Sequence, residues 1–208
     1  MSFYQNACKP KGLAGAFLIS MMNRGHASMA AWGLAHIRSV RPAHSLDIGC
    51  GGGANLKQLM KKNPAGTVTG IDYSAVSVKK SIQTNRKAIK EGRCQVLQGS
   101  AAELPFPDES FGLATAFETV YFWSDIRTSF AEVYRVLEEG GTFFICNETD
   151  GTGPAEEKWM GMIEGMTVYD ANDLKVLLRE AGFVNIRSAG KENHWLCLAA
   201  EKPKKQNA

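Results

Sequence analysis

The chain has 208 residues, 44% of them apolar, with a formal charge of +3 from 24 Lys and Arg against 21 Asp and Glu. This is material for one globular domain with a small cap, and its near-neutral charge argues against a broad basic footprint for nucleic acid. No apolar stretch approaches the roughly 20 residues of a membrane-spanning helix, so no membrane partner is expected.

Residues 1–44 read as a helical cap or lid. Phe17, Leu18, Met21 and Met22 recur at helical spacing, Gly25 interrupts, and a second stretch carries Met29, Trp32, Leu34 and Ile37 before Pro42. From residue 45 to 201 strands and helices alternate. Ser45–Ile48 is a short strand running into Gly49-Cys50-Gly51-Gly52-Gly53, and a helix follows through Leu56, Leu59 and Met60. Thr67–Ile71 is a second strand ending at Asp72, and Ser74 can cap the next helix, which carries Val76, Val78 and Ile82. Cys94–Leu97 and Phe111–Phe117 are further strands, Ile126–Leu137 has a helical period, and Thr142–Cys146 is a fifth strand. Alternation of this kind predicts a mostly parallel sheet with right-handed crossovers.

The chain then changes character. Residues 147–169 leave the pattern and form a possible lid insertion. Asp170 and Asp173 cap a helix through Leu174, Leu177 and Leu178 that Gly182 stops. The strands Phe183–Ser188 and Trp195–Ala200 lie too close in sequence for a parallel crossover, so they form a hairpin with one reversed strand. Residues 202–208, with Lys202, Lys204 and Lys205, read as a solvated tail.

Cys8, Cys50, Cys94, Cys146 and Cys197 form no C-x-x-C pair, and the chain start lacks the graded pattern of a secretory leader. A cytoplasmic protein with reduced thiols is expected. His26, His36, His44 and His194 show no zinc-ligand spacing, so no metal is expected. A monomer or homodimer is expected from base rates alone.

The glycine cluster carries the chemistry. Glycines at a strand-to-helix turn permit positive φ and close backbone approach, and the helix start offers free N–H groups to an anionic group. Gly49-x-Gly51-x-x-Ala54 also satisfies the dinucleotide fingerprint, and no Walker P-loop occurs. Asp72, ending the second strand, can accept from ribose hydroxyls. These features point to a nucleoside ligand without naming it.

Leu46-Asp47-Ile48-Gly49-Cys50-Gly51-Gly52-Gly53 resembles the first motif of class I S-adenosylmethionine-dependent methyltransferases. The resemblance continues through Gly99–Phe111 and Glu132–Thr142, and together these segments resemble the small bacterial type 11 methyltransferases. It implies a Rossmann-like α/β three-layer sandwich with a seven-stranded sheet and one antiparallel strand, agreeing with the hairpin. It further implies S-adenosylmethionine as cofactor, with S-adenosylhomocysteine as product. Gly49, Cys50, Gly51 and Gly53 would line its amino-acid and ribose parts. Asp47 would support that loop and the methionine ammonium, Asp72 the ribose, and Tyr73 would pack beside adenine. Ser100 stands where the family often has an aspartate toward the adenine amino group, so that contact would weaken, and the Ala101 backbone could serve the ring instead. Phe117 and Glu118, after the fourth strand, would face the methionine end or the substrate.

Methyl transfer from a sulfonium is an in-line displacement that the protein mainly positions and desolvates. A general base is needed only where the acceptor loses a proton. Glu118, His26, Tyr121 and Glu148 are candidates by location. Met21, Met22, Met29, Trp32, Trp159, Met160, Met162 and Met166 could line an apolar acceptor pocket between the two lids, with Tyr121, Phe122 and Trp123 as a further wall. The segment Ala116–Tyr121 contains no Asn-Pro-Pro-Tyr sequence of the kind found where planar nitrogens are methylated, which favours a small-molecule acceptor. The alternatives are an NAD(P)-dependent oxidoreductase and a non-catalytic cofactor-binding protein.

Overall fold

The computed structural model describes residues 25–37, 44–153 and 156–205, leaving aside the side chains of 157–159. The helical spacing of Phe17 to Met22 lies outside those residues, as does Pro42. Seven strands form one sheet in the order β3-β2-β1-β4-β5-β7-β6. They are β1 (Ser45–Ile48), β2 (Val68–Asp72), β3 (Cys94–Gln98), β4 (Phe111–Phe117), β5 (Leu137–Asn147), β6 (Val184–Gly190) and β7 (Leu196–Glu201). The first five are parallel, and β7 runs antiparallel to both β5 and β6. Every residue of β1 and β2 is buried, as expected of central strands covered on both faces.

Alternation along β5 divides the core between two layers of helices. Phe143 and Ile145 face α5 (Ile126–Val136) and α7 (Ala171–Glu180), packing with Phe130, Val133, Leu174 and Leu178. Phe144 and Cys146 face the other way, toward α1 (Ala27–His36) and α2 (Ala54–Lys62), packing with Met29, Leu34, Leu56 and Leu59. Helix α3 (Ala75–Thr84), the short α4 (Arg86–Lys90) and α6 (Glu156–Met162) are the remaining α-helices among the described residues.

The expected caps are made. Ser74 Oγ accepts from the Ser77 amide at 3.4 Å, and Asp170 and Asp173 form a full capping box on α7. Gly182 ends α7 with φ +96°.

Two expectations need correction. The fifth strand begins at Leu137, not Thr142, because a bulge at Gly140 (φ +72°) lets Leu137 pair with Phe111 before Thr142 pairs with Leu113. The expected solvated tail departs from the structure at Lys202, while Pro203, Lys204 and Lys205 are exposed and 206–208 lie outside the described residues. Lys202 is buried, its Nζ donates to Leu137 O at 2.8 Å, and its backbone exchanges hydrogen bonds with Gly140 and Gly141. The Lys205 amide donates to Glu139, whose carboxylate the Lys205 ammonium also meets at 2.9 Å. Composition marked Lys202 as solvent-facing, but Leu137 and the Gly140 bulge present the backbone partners that hold it.

Arg135 shows why two distant motifs occur together. From the last turn of α5 it donates to the carbonyls of Leu104 (3.0 Å) and Phe106 (2.8 Å), to Glu132 and to Asp108. Glu132 in turn accepts from the Leu104 amide at 2.8 Å. The guanidinium therefore fixes the turn that follows β3. Arg135→Ala should cost about 1–3 kcal/mol, the range for buried acceptors left unmet. Urea unfolding checks this, and an unchanged midpoint would show that the loop holds itself.

Candidate functional site

The site lies beyond the carboxyl ends of β1, β2 and β4, where ligands of open α/β sheets bind. The β1–α2 turn is anchored by the Gly49 and Cys50 amides, both donating to Ile71 O at 2.8 and 3.0 Å. Gly49, Gly51 and Gly53 have φ of +76°, +52° and +77°. They require glycine for different reasons. A Cβ at Gly49 would collide with the Thr119 side chain, and one at Gly53 would collide with Ser81 and Asn85. At Gly51 a Cβ would meet nothing within 4 Å, so this peptide faces open space.

Asp72 ties the turn to the next strand. Its Oδ2 accepts from the Gly51 amide and its Oδ1 from the Ser74 amide, each at 2.9 Å. Burial raises its pKa, opposed by those backbone donors. Tyr73 beside it is 40% exposed. Cys50 is buried with its Sγ toward Ser81, and burial holds its thiol protonated.

Asp47 is 1% exposed beneath the turn. Thr115 Oγ1 donates to its Oδ1 at 2.7 Å, while Oδ2 has no partner among the described residues. Desolvation raises its pKa to about 7, against the Thr115 bond, with the Asp72 charge adding to the rise. A buried acceptor without a donor is costly and points to a ligand that brings one.

A cavity of about 490 Å³ separates the turn from α1. The turn contributes Gly49, Cys50 and Gly51, α1 contributes Met29, Ala30 and Leu34, and the far wall is Phe117 and Glu118. The face of α2 at Ala54, Asn55, Gln58, Lys61 and Lys62 completes it. Sequence reasoning passed over that face, although its spacing of one, four, seven and eight residues was the available signal.

The base candidates, scattered in sequence, meet at this wall. Glu118 sits in the left-handed region (φ +59°), which turns its side chain inward. Its Oε2 accepts from Tyr121 Oη at 2.8 Å and lies 4.0 Å from His26 Nδ1, and its Oε1 accepts from the Glu148 amide. His26 Nε2 reaches Glu148 Oε2 at 3.0 Å. One atom each from His26, Glu118 and Glu148 lies within 4.8 Å of the others. Burial raises the Glu118 pKa to about 7, with the neighbouring Glu148 adding to the rise and His26 opposing it. Burial alone would lower His26, but the bond to Glu148 and the two carboxylate charges leave it above its ordinary value.

Of the other expected residues, Ser100 and Ala101 follow Gly99, whose amide donates to Asp72 O at 3.1 Å. Ser100 is exposed and its Oγ accepts from the Ala102 amide at 3.2 Å, and Ala101 is half-buried against the core. Trp32 packs on Trp195 and His36, away from the cavity. Trp123 is half-buried and packs against the core, stacked on Phe143 with its Nε1 donating to Thr119 at 3.2 Å. Met160 is 40% exposed. Met21 and Met22 lie outside the described residues, as does the side chain of Trp159. Of the apolar lid set, Met29 lines the cavity.

A family model described as a methyltransferase domain matches residues 46–145. YrhH of Bacillus subtilis, a provisionally assigned methyltransferase, is 32% identical over 130 residues, covering 62% of this chain and 71% of its own. The O-methyltransferase resE of Aspergillus sclerotiorum is 29% identical over 153 residues, covering 72% of this chain and 58% of its own. In three dimensions the chain resembles Haemonchus contortus phosphoethanolamine N-methyltransferase 2, solved with phosphomonomethylethanolamine and S-adenosylhomocysteine. The TM-score is 0.80 at 16% identity, covering 98% of this chain and 61% of that one. The chain thus spans about three fifths of the latter two proteins.

Proposed function

The chain belongs to the class I S-adenosylmethionine-dependent methyltransferases, and from that premise we propose that it methylates a small molecule in the cavity between α1 and the glycine turn. The observation that carries this reading is Asp47 Oδ2, a buried acceptor without a donor directly under the turn. The α-ammonium of a methionine moiety is the donor such an atom calls for. The residues present therefore fit the cofactor: Asp47 would receive the ammonium, the open face at Gly51 would take the ribose, and Asp72, which fixes that peptide, would accept from the ribose hydroxyls.

When bound, the cofactor supplies an activated methyl group that leaves by in-line displacement. The protein's part is to align and to exclude water. Phe117, Met29 and Leu34 give that space apolar walls. Glu118, paired with Tyr121 and close to His26, can hold a proton given up by a hydroxyl or amine acceptor. Of the two segments expected to close over the acceptor, 1–44 and 147–169, the described parts that support that role are α1, which walls the cavity, and Glu148, which joins His26 at the end of β5. The cavity of about 490 Å³ and the near-neutral charge favour a small acceptor over a nucleic acid. Among the described residues no helix is long and apolar enough to cross a membrane, and the four described cysteines are free and buried, which suits a reducing cytoplasm.

Calorimetric titration tests the reading. S-Adenosylmethionine and S-adenosylhomocysteine should bind saturably and NAD should not. Asp72→Ala should weaken both by about tenfold to a hundredfold, the worth of charge-assisted bonds of this kind. Binding of NAD alone would overturn the assignment.

A further inference from the structure

Glu118, His26 and Glu148 form a compact charged group at the wall of the cavity. Thr119, next in chain to Glu118, touches Gly49 closely enough that a Cβ there would lie 2.7 Å from the Thr119 Cβ. The wall bearing Glu118 is therefore one residue from the turn that would hold the methionine part of the cofactor. The two cofactor forms differ there in one respect above all: the sulfur is a cation before transfer and a neutral thioether after it.

We propose that Glu118, set by His26 and Glu148, reads the charge on the cofactor sulfur, so that docking of the sulfonium form expels a proton from this group and docking of the thioether form does not. The proposal rests on the cofactor assignment above. A unit positive charge arriving beside a poorly solvated carboxylate favours its ionised form. Glu118 ionises near pH 7, where both of its states are populated. His26 already faces it from the start of α1, Glu148 from the end of β5, and the Tyr121 hydroxyl from its own turn. Cys146 on β5 feels its charge but stays a thiol. Across the cavity stand Lys61 and Lys62 of α2, with Asp47 and Cys50 at the turn. Asp47 also ionises near pH 7, but both cofactor forms bring the same ammonium to it. The difference between the two ligands thus isolates the group at Glu118.

The consequence is selectivity that follows pH. Above neutrality an ionised Glu118 favours the sulfonium form and disfavours retention of the neutral product. Below pH 6 the protonated group distinguishes them less.

The test is calorimetric titration of the full chain with S-adenosylmethionine and with S-adenosylhomocysteine, in buffers of different ionisation enthalpy, from pH 6 to 8. At pH 7 the sulfonium ligand should release about half a proton more than the thioether, since Glu118 is then about half protonated. The ratio of the two affinities should rise about fivefold or more between pH 6 and 8. Glu118→Gln, its fold verified by an unchanged cooperative unfolding transition, should lose both the proton difference and the pH dependence of the ratio. His26→Asn, lacking the facing cation, should move the midpoint to higher pH. Equal proton release and a constant ratio in the native chain would overturn the proposal while leaving the cofactor assignment intact. Binding of neither ligand would remove both.

Discussion

Gly49→Ala should lower S-adenosylmethionine affinity by more than about a hundredfold and destabilise the chain by about 2–4 kcal/mol. Two costs combine. An alanine held at φ +76° costs roughly 1–2 kcal/mol. Its Cβ would then meet Thr119, with the Cβ and Cγ2 atoms at 2.7 and 3.1 Å and Oγ1 closer still. Thr119 cannot simply turn aside. It is 8% exposed, and its hydroxyl is held by Trp123 Nε1, which stacks on Phe143 in the core. The strain must be relieved by moving the turn, which displaces the Gly51 peptide and the space above Asp47. Gly51→Ala makes the contrast. It shares the positive φ but meets nothing within 4 Å, so it should cost stability only about 1 kcal/mol, from the backbone strain without a clash. Denaturant midpoints and calorimetry on the two variants separate these effects. Equal stability losses at both positions would mean that Thr119 yields and that close approach is not what demands glycine at 49.

The sheet was legible because its signals are local. The run Thr67–Ile71, bounded by glycine and aspartate, falls within one residue of the observed β2 (Val68–Asp72), whose residues are all buried as a central strand's should be. The reversed strand followed from the short link between Ser188 and Trp195, a constraint of chain length. The glycine turn, Asp47 and Asp72 were legible because the first turn of such a sheet fixes their spacing. What escaped was non-local. The early start of β5 depends on Lys202 returning from the far end of the chain to the Gly140 bulge. Thr115 and Thr119 gain their roles only when β4 lies beside β1. The meeting of His26, Glu118 and Glu148 needs α1 docked across the ends of β4 and β5. Sequence could name each member from its location, but not their distance.

Asp47→Asn should make the ligand-free chain more stable above pH 7 while abolishing measurable cofactor binding. The sign follows from linkage. The carboxyl ionises near 3.8 unfolded and near 7 folded, so folding favours its protonated form. Its stabilising share is complete below about pH 4, falls as pH rises, and is gone above about pH 7. Over that window the native chain loses up to about 4 kcal/mol at this position, since each tenfold difference in proton affinity between the folded and unfolded chain is worth about 1.4 kcal/mol. Asparagine never ionises. It keeps an oxygen to accept from Thr115, and its amide replaces the unmet Oδ2 with an unmet donor costing about 1–3 kcal/mol. The net expectation is a variant less stable than the native chain at pH 4 and more stable by about 1–3 kcal/mol at pH 8, with a flatter pH profile between. Binding moves the other way, because an amide donor opposes the ammonium that a carboxylate receives. On the proposed reading, the stability given up at Asp47 is exchanged for a ligand-binding group. Thermal unfolding across pH 4–8, with and without S-adenosylmethionine, decides the matter. If the native profile is flat, or if Asp47→Asn binds the cofactor as tightly as the native chain, Asp47 is an ordinary buried hydrogen-bonding group and the ammonium is held elsewhere.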